Sequence, residues 1–455
     1  MPRSQAPTRR RSKPTSFEVL RQRLGPLPLV NHFLKRLRLE SLLEKFVPTT
    51  DRRCLLPHAK GLGVLLRSII VEREPIYRQQ ETVQTFAAGM FGLEPEEIEG
   101  LNDDRIGRAL DELFAADRGT LLTQVVVTMG RRFAVRFDEL HNDSTTIRFT
   151  GQYRAARGRC LGGKRAPWIT YGHSKDHRPD LKQLLFILTT SADGGVPVQF
   201  RCQDGNTSDS TTHIETWTTL CQVAGRTDFL YVADSKLCSQ DNMDYIAGHQ
   251  GRFVTVLPRS RREDQHFRKW IQTNEPAWEL VWDRPNPRRR HGPRDRWWVF
   301  RDPLPSREAW PVTWVYSSLL ALHTEHTRAQ RLARASEELT EFKQKLASPR
   351  SRIRKAGEVD ARVEQILQPA RLRRYLKVRR TTRFEERFRQ RTRGRPGPNT
   401  SYRRIIRRHW DIEWEIDEAA IAYDRKSDGM YPLLTNDPDL TPARSEEHTS
   451  ELQSR

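Results

Sequence analysis

The chain has 455 residues, of which 36% are hydrophobic and 9% aromatic, and this apolar content excludes a disordered chain. Its 79 Lys and Arg residues against 58 Asp and Glu residues give a net charge of +21 at pH 7. Because a surface of that sign displaces counterions from phosphates, nucleic acid is the first partner to consider.

The sequence carries no sign of a membrane or a secretory route. No run approaches the roughly 20 apolar residues of a membrane span, and the basic N-terminus is followed by no apolar signal core. We therefore expect a cytoplasmic protein that makes no membrane contact. Its cysteines are widely spaced without a C-x-x-C pair, which predicts reduced thiols in the core for Cys54, Cys160, Cys202, Cys221 and Cys238.

The first third of the chain has the pattern of a helical domain. Residues 1–16 are rich in Pro and Arg and predict a flexible basic arm. Beyond them, Phe33, Leu34 and Leu37 share one face of a helix. Asn102 is a candidate cap for a later helix. The pattern predicts an all-α domain at 17–125.

The period changes from about residue 131, where β-branched and aromatic residues alternate with polar ones. The run LLFILTT at 184–190 predicts a buried strand, and a helix with Trp217 on its apolar face stops at Gly225. The strand FLYVAD then ends at Asp234, before a short helix and the strand GRFVTVL. Strands that alternate with helices predict a mixed α/β sheet.

A basic region interrupts this alternation between about residues 258 and 425. It contains an Arg-rich loop, Trp-rich pieces of strand character and a long polar helix around 319–348. We interpret it as an inserted subdomain. Its segment RLRRYLKVRRTTRFEERFRQRTRGRPGP has two interpretations, a solvated helix face or a surface that contacts phosphates.

Two aspartates stand where strands open onto a site. Asp143 lies in HNDSTTI, and Asp234 closes an apolar strand. In open α/β sheets the carboxyl ends of strands line the ligand crevice, so two such carboxylates can share one divalent cation. An aspartate at a strand end can equally be a cap or turn residue.

A more specific signal comes from five strings in a fixed order. They are HNDSTTI, YGHSKDHRPDLKQLLF at 171–186, GNTSDSTTH at 205–213, VADSKLCSQDNM at 232–243 and DGMYPLLTN at 428–436. This order resembles that of DDE-class transposases of bacterial insertion sequences. Within them, the chain is similar to the branch of the insertion-sequence-four-like group that carries the YGHSKDHRPDLKQ string.

The resemblance implies an RNase-H-like catalytic domain with Asp143 on its first strand and Asp234 at the end of its fourth. Both aspartates would be catalytic and would bind Mg²⁺ or Mn²⁺. Asp138 is the alternative first acid, although the hydroxyl run that matches the family follows Asp143. Weaker candidates, for positioning the substrate, are Lys175, His177, Arg178, Lys182 and Asn206. The alternative for these residues is a turn held by local charge pairs or, at Asn206, a helix cap.

The implied function is that of a DNA transposase, which cuts a strand and joins it to another duplex. Its partners would be double-stranded DNA, as the element's terminal repeats and the target, and further copies of the chain in a homo-oligomer. A nuclease on the same fold and a DNA-binding remnant without activity remain alternatives. The organisation expected is a basic arm at 1–16, a helical DNA-binding domain at 17–125, the catalytic core at 126–258, a basic insertion at 259–425, a return to the core at 426–443 and a non-native tail at 444–455.

The family carries a third acid, a Glu on a helix some tens of residues beyond the strand of DGMYPLLTN. That glutamate is absent from this chain. The final stretch RSEEHTSELQSR has no apolar periodicity and resembles a translated library adapter. The sequence thus predicts a C-terminally truncated transposase.

Overall fold

The computed structural model describes residues 21–51, 53–175, 177–285, 292–348 and 351–441, with the backbone alone for residues 161 and 369–371. The predicted arm at 1–16 and tail at 444–455 lie outside the described residues. The chain forms two compact units. The first holds the chain up to Leu140 with residues 144–211 and 215–226, and the second holds residues 141–143, residues 212–214 and the chain from Thr227.

The first unit begins with helices, as the apolar spacing predicts. In chain order they are α1 (Leu27–Leu37), α2 (Leu39–Phe46), α3 (His58–Val71), α4 (Gln79–Gln84), α5 (Pro95–Ile98), α6 (Asp103–Ala115) and α7 (Arg118–Phe133). The predicted cap of α6 is confirmed, because the Asn102 side chain accepts a hydrogen bond from the Arg105 backbone nitrogen at 2.9 Å. Such a cap contributes about 1 kcal/mol. Helix α7 runs past residue 131, where strand character was expected, and its Leu121 and Val126 are buried.

The rest of the first unit is built around antiparallel strands. Its elements are β1 (Glu139–Phe149), β2 (Cys160–Leu161), β3 (Lys164–Arg165), β4 (Lys182–Ser191), β5 (Pro197–Gln203) and most of α8 (His213–Ala224). The larger strands follow the order β5-β4-β1. Alternate side chains of β4 are buried, which is the pattern of a strand with one face on the core. Helix α8 stops before Gly225, which adopts a φ of +69°.

The second unit includes residues 141–143 of β1. Its next elements are β6 (Leu230–Ala233), α9 (Gln240–Gly248) and β7 (Arg252–Val256), and β6 pairs with β7 in parallel. All four residues of β6 are buried. When the short strands β2 and β3 are left aside, β1, β4, β5, β6 and β7 are the first to fifth strands along the chain. Across the sheet they lie in the order β5-β4-β1-β6-β7, which is 3-2-1-4-5. This is the order of the RNase-H-like fold, and the predicted α/β class is confirmed.

The long segment after β7 adds both sheet and helix. It comprises α10 (Arg262–Trp270), β8 (Glu279–Arg284), β9 (Asp295–Arg301), β10 (Val312–Ser317), α11 (Ser318–Ala347), α12 (Ala356–Leu367), β11 (Leu376–Gln390), β12 (Tyr402–Ile416), α13 (Glu418–Arg425) and β13 (Met430–Thr435). Strands β8, β9 and β10 extend the sheet in the order β7-β13-β10-β9-β8. The predicted domain boundaries stay predictions.

Strand β13 lies between β7 and β10 and is antiparallel to both. Its six side chains are all buried. Gly429, just before it, has a φ of +75°, and a Cβ there would lie 2.6 Å from the Ser317 carbonyl oxygen. Asn436, just after it, accepts from the Phe253 nitrogen at 2.9 Å and donates to the Gly251 carbonyl at 2.8 Å. The string DGMYPLLTN therefore has a structural role in holding this strand.

A separate two-stranded ribbon, β11 paired with β12, corrects one prediction. The basic segment interpreted as a helix face or a phosphate contact forms an antiparallel strand over Leu376–Gln390. The helix alternative is wrong because β12 supplies a partner along the whole length of β11. The first half of the ribbon packs against α11 and α12, with Leu376 and Ile412 in a cluster with Leu339 and Val359.

Two further predictions concern the cysteine thiols and membrane-spanning helices. All five cysteines are free, but Cys160 and Cys202 are exposed, so the prediction of core thiols is wrong for these two. Both lie on short or edge strands with one side open to solvent. In the described ranges, no helix is both long enough and apolar enough to cross a membrane.

Candidate active site

Two neighbouring strands carry the predicted catalytic acids, and both acids belong to the second unit. Asp143 lies on β1 directly after three buried residues, and Asp234 follows the last residue of β6. Strands β1 and β6 are neighbours in the sheet. Both carboxylates are half-buried. The sheet thus delivers two acids, 91 residues apart in the chain, from adjacent strands.

The backbone around Asp234 is held by its own turn and by the next strand. Its carboxylate accepts a hydrogen bond from the Lys236 nitrogen at 3.0 Å, and its carbonyl accepts one from the Thr255 hydroxyl at 2.7 Å. Thr255 lies on β7 and is fully buried. These contacts fix the direction in which the chain leaves β6.

A buried tyrosine and histidine stand under the same strand end. The Tyr231 hydroxyl lies 3.0 Å from His213 Nδ1, and both side chains are buried. Burial raises the pKa of Tyr231 well above its usual value, and the negative charge of Asp234 raises it further. The phenol therefore stays neutral beside the carboxylate.

In the first unit, three of the family strings meet in one hydrogen-bonded network. Lys175 Nζ lies 3.0 Å from the Asp209 carboxylate and donates to the Ser144 hydroxyl at 2.7 Å. Lys175 also donates to the Ser144 carbonyl, and the Ser144 hydroxyl donates to Asp209 at 3.0 Å. Ser144 is the residue after Asp143 on β1. Asp209 is thus the ionic partner of Lys175.

Two glycines let the loops of this network approach each other. A Cβ on Gly172 would lie 1.9 Å from the Gly205 carbonyl oxygen, and a Cβ on Gly205 would lie 2.0 Å from the Gln183 carbonyl oxygen. The Gln183 amide donates to the Gly205 carbonyl at 2.8 Å and to the His173 carbonyl at 3.2 Å. No other residue type fits at these two positions without moving backbone.

The weaker candidates divide into paired and exposed residues. Arg178 donates two hydrogen bonds to Asp180, at 2.8 and 2.7 Å, which is the local charge pair considered as its alternative role. Lys182 donates to the Gln152 carbonyl. His177 is exposed with a φ of +56°, and Asn206 is exposed. None of these contacts identifies a substrate.

The alternative first acid has a different setting. Asp138 precedes β1, and its side chain is 59% exposed. Its carboxylate accepts a hydrogen bond from Arg226 at 2.7 Å. An exposed surface ion pair of this kind contributes little to stability, whereas Asp143 is half-buried within the strand.

The carboxylates of Asp143 and Asp234 suit a hard cation that takes few of its ligands from the protein. Asp143 and Asp234 offer carboxylate oxygens, the ligands Mg²⁺ prefers, and this ion commonly keeps several waters beside one or two carboxylates. Across the described residues, no group of three or more His, Cys, Asp or Glu side chains is placed to hold a metal. The two carboxylates are of the chemical kind that Mg²⁺ uses together with water and phosphate oxygens.

Comparison with known proteins gives a family match over part of the chain and distant structural likenesses. Residues 20–127 match the model of a domain of unknown function, DUF4277. No curated protein matches the chain. Among solved structures, the chain is similar to the piggyBac transposase in the cryo-EM structure of its synaptic complex with hairpin DNA.

That likeness has 11% sequence identity and a TM-score of 0.32, over 65% of this chain and 61% of the other. The strand order of the sheet carries the fold, and the family match concerns the N-terminal helical region alone.

Proposed function

We propose that the protein is a DNA transposase of the DDE class, in which Asp143 and Asp234 bind Mg²⁺ or Mn²⁺ at the site of strand cleavage and strand transfer. One observation carries the proposal. The strand of Asp143 lies beside the strand that Asp234 directly follows, as the first and fourth strands of an RNase-H-like sheet. The ordered strings at 171–186, 205–213 and 232–243 support it.

The chain's own groups prepare the site for a phosphodiester. The half-buried carboxylates of Asp143 and Asp234 supply negative charge for the cation, and Tyr231 remains a neutral neighbour. The Lys175 network fixes Ser144 and with it the chain direction of β1 next to Asp143. When bound, the metal ion supplies activation of the attacking oxygen and stabilisation of the leaving oxygen.

Hydrolysis and strand transfer are the same in-line displacement at phosphorus with different nucleophiles. One carboxylate site can therefore serve both, with water first and a DNA 3′-hydroxyl second. The net charge of +21 supplies the attraction that holds the DNA. Further copies of the chain on paired element ends would complete the assembly.

The test is a cleavage and joining assay with a labelled duplex that carries an end of the source element and an unlabelled target duplex, in Mg²⁺ or Mn²⁺. We expect the wild type to nick the labelled strand and join it to the target. Asp143→Asn and Asp234→Asn should each lower the rate at least 100-fold while DNA binding remains. Mn²⁺ binding, followed by calorimetry, should weaken in both variants.

Asp138→Asn is the matched control, since it removes an exposed carboxylate five residues from Asp143. Loss of activity in this variant with retention in Asp143→Asn would transfer the role of first acid to Asp138. Cleavage without joining would favour the nuclease, and DNA binding without cleavage in the wild type would favour the inactive remnant.

A further inference from the structure

The outer half of the β11–β12 ribbon differs from its base. On one face, Leu376 and Ile412 at the base are buried among the residues of α11 and α12. Further along the same face, Phe384 and Phe388 are each 64% exposed and Ile406 is 55% exposed. Since side chains two apart on a strand share a face, the large apolar side chains of this face are covered at the base of the ribbon and uncovered in its outer half.

The same outer half is strongly basic. Residues 383–408 contain ten Arg against two acids, Glu385 and Glu386, so their net charge is 10 − 2 = +8. The two glutamates pair with Arg387 and Arg404. The other arginines of this stretch that face solvent, without an ion pair in the described chain, include Arg389, Arg403 and Arg407.

The register separates the two properties onto two faces. Arg389 lies opposite Arg403, and Glu385 lies opposite Arg407, on the face away from the phenylalanines. Phe384 and Phe388 lie opposite Arg408 and Arg404 on the apolar face. The outer ribbon therefore presents aromatic rings flanked by arginines on one face. The other face is mainly arginine, with Glu385 and Ile405 among them.

We infer that this outer half, residues 383–408, is an arm that lies in the major groove of duplex DNA. The charge selects a polyanion and opposes a second copy of the same ribbon. The major groove, about 12 Å wide, admits a two-stranded ribbon. Seven residue pairs at about 3.3 Å each span about 20 Å, which is about six base pairs.

In this arrangement the two kinds of side chain have different tasks. The arginines on the face away from the rings point out of the groove, and their long side chains reach the phosphates along its two rims, which gives affinity without sequence preference. The exposed rings of Phe384 and Phe388 contact base edges, where an aromatic side chain packs against thymine methyl groups. The arm is thus assigned two properties, a general affinity for DNA and a preference for thymine. It rests on the proposed function only in taking duplex DNA as its ligand.

The experiment measures binding of the full chain to a fluorescent 30-base-pair duplex by anisotropy, in EDTA so that no cleavage occurs. Arg389→Ala/Arg403→Ala/Arg407→Ala should weaken binding about 100-fold at 100 mM salt and lower the slope of log K against log salt by about 2.7. The control removes the same charge from exposed arginines of α11 and the loop after it, in Arg331→Ala/Arg334→Ala/Arg352→Ala. It should change affinity less than about 3-fold.

A second pair of measurements tests the aromatic face. Phe384→Ala/Phe388→Ala should weaken binding about 10-fold and leave the salt slope unchanged, because no charge is lost. Replacing thymine by deoxyuridine in the duplex, which removes the methyl group, should weaken the wild type. It should not affect the double variant.

Equal behaviour of the ribbon triple variant and its control would overturn the inference. So would a Phe384→Ala/Phe388→Ala variant that keeps its DNA affinity but loses oligomeric mass in light scattering, which would make the face a contact between copies. Asp143→Asn should bind like the wild type throughout. A failure of cleavage alone would therefore count against the proposed function and leave the arm standing.

Discussion

Removing the ammonium group of Lys175 tests whether the three family strings are held together by this one side chain. In Lys175→Met the alkyl chain keeps its length, while the contacts to Asp209 at 3.0 Å and to the Ser144 hydroxyl at 2.7 Å are lost. A hydrogen bond to a charged group contributes about 1.5–3 kcal/mol. Because Lys175 is 31% exposed and Asp209 13% exposed, solvent screens part of this, and we expect a loss of about 1.5 kcal/mol.

The measurement is the opening free energy of β1 from native-state hydrogen exchange of peptides within 139–149, which reports this region rather than the whole chain. A double-mutant cycle of Lys175→Met with Asp209→Asn should give a coupling energy of about 1–2 kcal/mol. Arg178→Met is the control, since Arg178 pairs with Asp180 on the surface. It should change the opening free energy much less than Lys175→Met does, because water screens this exposed pair.

A coupling energy below about 0.5 kcal/mol, or equal losses in Lys175→Met and Arg178→Met, would show that Lys175 does not hold this network together. A cleavage assay adds a functional readout. If the network positions β1, Lys175→Met should lower the cleavage rate while the affinity of the full chain for duplex DNA changes little.

Three further substitutions probe the second unit. Gly429→Ala should lower the free energy of unfolding by about 2–4 kcal/mol, because Gly429 has a positive φ and the added Cβ would meet backbone atoms. The control is Gly357→Ala on α12, where the added Cβ meets open space and stability should not fall. Thermal unfolding measures both. Burial by itself raises the pKa of Glu308. Hydrogen bonds, of which the one from Arg261 is the largest, outweigh burial and lower the pKa from 4.5 to about 2. The stability this gives is present above pH 4.5 and is lost as pH falls toward 2, so urea midpoints of Glu308→Gln and wild type should differ at pH 7 and converge on acidification. Asn436→Ala removes two hydrogen bonds to backbone and should cost about 2 kcal/mol in urea unfolding, with a smaller loss arguing that water replaces them.

Local signals in the sequence predicted much of the α/β core. The apolar run before Asp234 is a fully buried strand, and Gly225 ends its helix with a positive φ. These elements are set by short-range chemistry, namely side-chain period and turn residues. The placement of Asp143 and Asp234 on neighbouring strands needed the family resemblance, because strand order is not written in local pattern.

Other features depend on partners distant in the chain, and these the sequence did not reveal. The basic strand β11 was interpretable as a helix face because its partner β12 begins only after an intervening turn. Lys175 and Asp209 are 34 residues apart in the chain (209 − 175), and each alone has the composition of an ordinary turn. Exposure of Cys160 and Cys202 likewise depends on which strands lie at an edge.

The position of β13 has a consequence for how the chain folds. Residues 430–435 fill the gap between β7, which ends at Val256, and β10, which ends at Ser317. Until they have been synthesised, neither strand has its neighbour on that side, and both present unpaired backbone groups. The sheet can therefore be completed only after a long further stretch of the chain has been translated. Contacts between residues so far apart in the chain raise the contact order, which slows folding and prolongs the time during which the chain can aggregate. For this protein, synthesis of one short strand marks the time at which the two parts of the sheet can join.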